Sequence, residues 1–194
     1  MRLRGKLQRL EGVRERPRVS PVSSFLKNHF ELFGLTPAYA LDLELLDRAY
    51  RDIQSNVHPD RYAQAGDAER RASMQMTTQV NEAYRTLKSP VQRAKYLLET
   101  HGVDVGFETN TAMPLDFLGE QMELRERLEQ AREAEALVLL EKTLAEKKQI
   151  LEEHIARSID VTQDYRGASD LVRKLMFLDR LDEEINAAYE ALDG

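Results

Sequence analysis

Val57-His58-Pro59-Asp60-Arg61 is the stretch on which the reading of this chain turns. It places an imidazole, a backbone with a fixed φ, a carboxylate and a guanidinium side by side between two helical patterns. A residue before proline is pushed out of the helical region, so the incoming helix must stop at His58. That helix is expected from about Asp42 to Asn56, because Leu43, Leu46, Tyr50, Ile53 and Val57 recur at 3-4-3-4 spacing and form one apolar stripe. Gly66 and Asp67 mark the outgoing helix, with Asp67 read as its N-cap. Met76, Val80, Ala83 and Leu87 make its stripe. Two long helices joined by a short connection pack antiparallel, which puts His-Pro-Asp at the exposed tip of a helical hairpin.

Before the hairpin, a short helix is expected over about 24–33 with Phe25, Phe30 and Phe33, closed by Gly34. Ser89-Pro90 reads as the N-cap and first residue of a further helix carrying Val91, Ala94, Leu97 and Leu98, and His101-Gly102 ends it. Residues 102–113 are turn-rich and lack periodicity, as a domain boundary does. Three more amphipathic helices follow, at about 114–132, 135–157 and 169–192. Their stripes are Phe117, Gln121, Leu124, Leu128 and Ala131; then Leu137, Leu140, Leu144, Leu151 and Ile155, interrupted by Lys148; then Leu171, Leu175, Leu178, Leu181, Ile185, Ala188 and Leu192. Such helices with short connections form an antiparallel three-helix bundle. The fold class is all-α, with no strand or internal repeat. The expected organisation is a basic tail over 1–22, an N-terminal helical domain over 23–102, a linker over 103–113 and a C-terminal bundle over 114–194.

The net charge of -6 on 194 residues argues against a nucleic-acid binder. The charge is uneven: residues 1–18 hold seven Lys or Arg against Glu11 and Glu15, +5 in all, so the remainder carries -11. The tail reads as a disordered segment, with a mitochondrial transit peptide or a nucleic-acid-binding arm as the sharper alternatives. The absence of cysteine excludes disulfides, thiolate nucleophiles and cysteine-ligated clusters. No apolar run approaches membrane-spanning length and the N-terminus lacks a signal-peptide core, which makes the cytoplasm the expected compartment.

Chemistry-bearing motifs are missing. There is no Gly-rich phosphate loop, no H-E-x-x-H and no G-x-S-x-G. The four histidines fall in different expected elements, and a metal at His58 and Asp60 would need a further ligand. No catalytic residues, metal or cofactor are therefore assigned, and the chain reads as a two-sided interaction adaptor. Periodicity marks the second side. Leu118 and Met122 lie about 100° around the helix from the core stripe of the first bundle helix. Glu126 extends that row and Glu123 lies beside it, while Phe177 sits off the Leu175–Leu178 seam. An apolar row with acidic neighbours is a partner surface, or else a wider buried face.

His58-Pro59-Asp60 between two helices, then Asn81-Glu82-Ala83-Tyr84-Arg85-Thr86-Leu87 and Arg93-Ala94-x-Tyr96, resembles a J domain. The ending Tyr96-Leu97-Leu98-x-x-His101-Gly102 and the stretches Gln121–Glu126 and Val172–Asp179 are similar to the HscB family of iron–sulfur cluster assembly co-chaperones. That resemblance implies a bridge. The J domain would engage a DnaK-like ATPase chaperone, HscA, through His58, Pro59 and Asp60, with Arg48 and Arg51 steering the approach. The bundle would bind the cluster scaffold protein IscU at Leu118, Met122, Glu123, Glu126 and Phe177. Gly119 departs from the pattern, where a bulkier apolar residue is expected. The missing cysteines also mean that the zinc-binding cysteines of some mitochondrial relatives are absent, which favours a bacterial cytoplasm over a mitochondrion. The competing readings are a general J-domain co-chaperone with another client, and a structural helical protein that self-associates weakly through its bundle.

Overall fold

Every regular element in the described residues of this computed structural model, 28–62, 64–106 and 113–193, is helical. The all-α expectation therefore stands, while the basic tail, Phe25 and the start of the expected first helix lie outside the described residues. Helix α1 spans His29–Leu32, α2 Leu43–Val57, α3 Asp67–Lys88, α4 Pro90–Thr100, α5 Leu115–Gln130, α6 Ala134–Ala156 and α7 Tyr165–Asp193. A 3-10 turn covers Pro59–Tyr62 and a π-helical turn covers Arg157–Val161.

Helices α2 and α3 form the expected antiparallel hairpin, and cross-pairs set its register. Asp47 accepts from Lys88 Nζ at 2.7 Å, Tyr50 stacks on Tyr84 at 4.0 Å, and the Tyr50 hydroxyl donates to Asn81 Oδ1 at 3.0 Å. Leu46, Met76, Val80, Ala83 and Leu87 are buried between them, together with Val91, Ala94, Leu97 and Leu98 of α4 and Phe30 of α1. Ser89 caps α4 as expected, accepting from the Gln92 N–H. Gly34 and Gly102, at φ 68 and 72, end α1 and α4. Each lets the next residue donate back into the helix, Leu35 N–H to the Phe30 carbonyl and Val103 N–H to that of Leu98, both at 2.9 Å.

Two boundaries differ from expectation. The N-cap of α3 is Gly66, and Asp67 is already helical, its carboxylate paired with Arg70 one turn on. Helix α7 begins at Tyr165, four residues before the expected Ser169. Gly167 lies in its first turn, where Asp164 Oδ1 accepts its N–H at 2.9 Å, and a Cβ there would strike that carboxylate. The missing side chain is what allows the cap.

The three C-terminal helices form an antiparallel bundle around Leu124, Leu140, Leu144, Leu178, Leu181 and Ile185. Lys148 interrupts the α6 stripe because it reaches Asp179 and Asp182 of α7 at 2.6 and 3.0 Å. Burial pushes its pKa down, and the hydrogen bonds and charges of the two aspartates together outweigh that and leave it raised. Leu192 was expected in the α7 stripe and is instead 44% exposed, because it lies in the last turn, beyond the buried length of the helix.

The two halves share a core. Ile155, Ile159, Ala168, Val172 and Leu175 from α6, the π turn and α7 join Val105 and the buried residues of α1–α4 in one cluster. Val105, in the expected linker, is 2% exposed, and Arg173 Nη1 donates to its carbonyl at 2.9 Å. Asp160 of the π turn accepts from the backbone N–H groups of Tyr39 and Ala40 at 2.7 and 2.9 Å. His101 at the end of α4 stacks on Tyr165 at 4.0 Å.

Candidate partner-binding surfaces

The hairpin tip is built by stopping α2. His58 has φ -57 and ψ 129, the extended conformation that Pro59 imposes on its predecessor. A helix that stops leaves its last carbonyls without intrahelical donors. Side chains satisfy them here. Arg61 Nη1 donates to the Ser55 carbonyl at 2.9 Å and the Tyr62 hydroxyl to that of Asn56 at 3.3 Å. Ser73 Oγ and Thr77 Oγ1 of α3 donate to the Val57 carbonyl at 2.7 and 3.1 Å. The His58 carbonyl accepts the Arg61 N–H at 3.1 Å, closing the 3-10 turn.

His58 itself turns inward on the tip: its Nδ1 accepts the Asp60 N–H at 3.3 Å, an acceptor role that needs Nδ1 unprotonated. The Asp60 side chain is 91% exposed, and its Oδ2 lies 3.7 Å from the same Nδ1. The backbone around the tip is thus held at the Ser55–His58 carbonyls and at the Asp60 and Arg61 N–H groups, while the Asp60 carboxylate projects into solvent. Such a carboxylate can accept charge-assisted hydrogen bonds from an incoming cation.

Arg48 and Arg51 are exposed, one turn apart on the α2 face leading to the tip. In sequence, Asp47 and Asp52 dilute them. In the fold, Asp47 belongs to α3: Lys88 and the Tyr84 hydroxyl both donate to it, and the bond from Lys88 holds its carboxyl below the usual range. Lys88 and Tyr84 hold the Asp47 carboxylate toward α3, although it remains within electrostatic reach of Arg51.

The second row is also present. On α5, Gln121 and Leu124 are buried, while Leu118 is 38% and Met122 64% exposed, with Glu123 and Glu126 exposed beside them. Leu115, at 83% exposure, lies three residues before Leu118 on the same face and was missed by sequence reasoning. The signal was available as an i, i+3, i+7 row running 115, 118, 122. Phe177 is half-buried and meets Phe117 of the α5 core stripe edge-on at 6.1 Å, which brings it to the first turn of α5. A Cβ on Gly119 would meet nothing within 4 Å, so the position is open space on that surface.

Among the described residues, no group of three His, Cys, Asp or Glu is placed to hold a metal ion, and no helix is long and apolar enough to cross a membrane.

A helical hairpin with this tip, the Asn-x-Ala-Tyr and Arg-Ala-x-Tyr signatures in its core, and an appended three-helix bundle defines a J-domain co-chaperone, a protein that acts through an Hsp70-like partner and is not itself an enzyme. Residues 28–96 match the family described as DnaJ domain, and residues 113–186 match the HSCB C-terminal oligomerisation domain. The chain is 48% identical over 173 residues to a co-chaperone protein HscB homolog of Burkholderia mallei, covering 88% of this chain and 98% of that one. It is similar to the solved chaperone HscB from Vibrio cholerae, with TM-score 0.76 and 34% identity over 86% of this chain and 99% of that one. Human co-chaperone protein HscB superposes with TM-score 0.79 at 28% identity, over 84% of this chain and 82% of that one. The chain belongs to the HscB family of co-chaperones, whose role lies in iron–sulfur cluster assembly.

Proposed function

We propose that this chain couples two proteins: its hairpin tip stimulates the ATPase of an HscA-type chaperone, and its bundle delivers an IscU-type scaffold to it. The observation that carries the reading is the Asp60 carboxylate, 91% exposed on a tip whose flanking α2 carbonyls and turn N–H groups are hydrogen-bonded. A partner arginine meeting it finds a charge already oriented, so little loop entropy is lost on binding. His58 and Pro59 shape the turn, and Arg48 and Arg51 steer the approach to an acidic chaperone surface. The scaffold surface is the row of Leu118 and Met122 with Glu123, Glu126 and Phe177, an apolar strip with a polar rim. The functional units are the stretches 23–102 and 114–194, joined through 103–113. The cytoplasm is the compartment this reading expects.

Two variants separate the surfaces. Asp60→Asn should abolish ATPase stimulation while the scaffold still binds, since losing one member of a contact charge pair costs about 2–5 kcal/mol. Leu118→Ala with Phe177→Ala should weaken scaffold binding and leave scaffold-free stimulation intact. Normal stimulation by Asp60→Asn would end the reading of the tip, and unchanged scaffold affinity that of the row.

Self-association through the bundle is a second reading. The matching family's description names oligomerisation, and Val138, Leu139 and Ile150 of α6 are more than half exposed. A molar mass measured by light scattering across a concentration series decides it.

A further inference from the structure

We infer that Ser73, supported by Thr77, is a positioning residue for the His58–Asp60 tip. Its hydroxyl sets the strength with which the chain presents Asp60, although it lies on the other helix of the hairpin and touches no partner. The inference deepens the reading of the tip as the chaperone contact and rests on it.

On α3, Met76, Val80, Ala83 and Leu87 are buried at 4-3-4 spacing, and Ser73 continues that row toward the tip at 6% exposure. A hydroxyl at a core position is costly unless it is hydrogen-bonded. Ser73 Oγ has one partner across the hairpin, the Val57 carbonyl at 2.7 Å. Val57 is the last residue of α2, and the next peptide unit leads into His58. The bond therefore holds the point at which the chain leaves the helix.

Thr77 is the weaker of the two holds. Its single hydroxyl proton is shared between the Val57 carbonyl at 3.1 Å and the Ser73 carbonyl at 2.9 Å. Arg61 also ties the tip, through the Ser55 carbonyl and Asn56 Oδ1. It is exposed beside Asp60, however, so a partner could contact it directly. Ser73 is buried and cannot be reached, which makes it the clean position to test.

Removing the Ser73 hydroxyl leaves the Val57 carbonyl to Thr77 alone. The tip then samples orientations in which Asp60 does not point where a preorganised contact needs it, and the partner must bear the ordering cost on binding. The test uses the full chain and its Hsp70-like partner, well below the melting midpoint of each variant. Ser73→Ala should raise the co-chaperone concentration for half-maximal ATPase stimulation about fivefold, the effect of one hydrogen bond. It should also speed amide exchange at Asp60 and Arg61, whose N–H groups are bonded within the turn. Ser73→Thr keeps a hydroxyl and should restore both readouts. Thr77→Val should move them in the same direction by less, and Thr77→Ser should not move them; this pair carries the test if Ser73→Ala fails to fold. A lowered melting temperature with unchanged half-saturation would make Ser73 a merely structural cap and overturn the inference, as would a loss of stimulation with unchanged exchange. Asp60→Asn run alongside keeps the two ideas apart. If it is inactive and Ser73→Ala is normal, only the positioning role falls; if it is active, the chaperone contact itself is misplaced.

Discussion

At the scale of single residues, the signature positions divide into one that projects and several that hold. Asp60 projects. Asn81, Tyr84, Arg93 and Tyr96 hold: Tyr96 Oη accepts the His29 N–H at 3.0 Å, and Arg93 Nη1 donates to the Leu87 carbonyl at the end of α3 at 2.6 Å. Arg93 is 6% exposed and lies over the Tyr39 ring at 5.0 Å. Tyr39 carries a cost. Its hydroxyl is buried with no hydrogen-bond partner among the described residues, and burial pushes its pKa far up, so it stays neutral. Tyr39→Phe removes the orphaned donor and keeps the ring under Arg93. It should stabilise the protein by about 1 kcal/mol in urea denaturation; a loss of stability would mean that the hydroxyl has a partner. None of this was legible in sequence, because an unsatisfied hydroxyl is a property of what surrounds it. Asp60 was legible, because a carboxylate after proline between two helical patterns has few places to go but the tip.

At the scale of elements, α5 has two faces with two purposes. Its core stripe was read from periodicity, and Gln121 and Leu124 are buried accordingly. The exposed row was read in part, with Leu115 missed because it stands at the helix start, where a stripe is hardest to phase. Gly119 lies on the exposed side of this helix with nothing near its Cβ. Gly119→Ala should therefore stabilise the helix by about 1 kcal/mol, seen as a higher denaturation midpoint. Gly119→Leu should fold equally well and bind the scaffold on the order of tenfold tighter by adding apolar contact. An affinity that does not change on Gly119→Leu would show that the row is not where the scaffold sits.

At the scale of the whole molecule, the main feature is the joint. The chain reads as two modules and a linker, yet one apolar core runs from Phe30 through Leu98 and Val105 to Ile159 and Leu175. Asp160 adds two charge-assisted bonds to the backbone of the segment that leads into α2. The π turn that carries it keeps Ile159 buried in that core while Asp160 faces the loop. Asp160→Ala should destabilise the protein by about 1–3 kcal/mol. Helical circular dichroism and tyrosine emission should still report a single coincident unfolding transition, since the shared core couples the halves. Two separate transitions would mean that the joint contributes little. A rigid joint would also fix the tip relative to the row on α5.

Local sequence specified the helical segments, the hairpin, the position of Asp60 and the α5 stripe as far as Leu128, while Ala131, expected in that stripe, falls outside the helix as its C-cap. Helical phase and proline stereochemistry act over a few residues and leave a local record. The tertiary structure alone decided what was paid across distance. It assigned Asp47 to Lys88, the end of α2 to Ser73, and the segment before α2 to Asp160, 120 residues away. Hydrogen bonds between such separated groups have no period, so no pattern in the chain announces them. The tip was readable because its chemistry is contiguous, whereas the hold on the tip was not, because its parts meet only after α2 and α3 have packed.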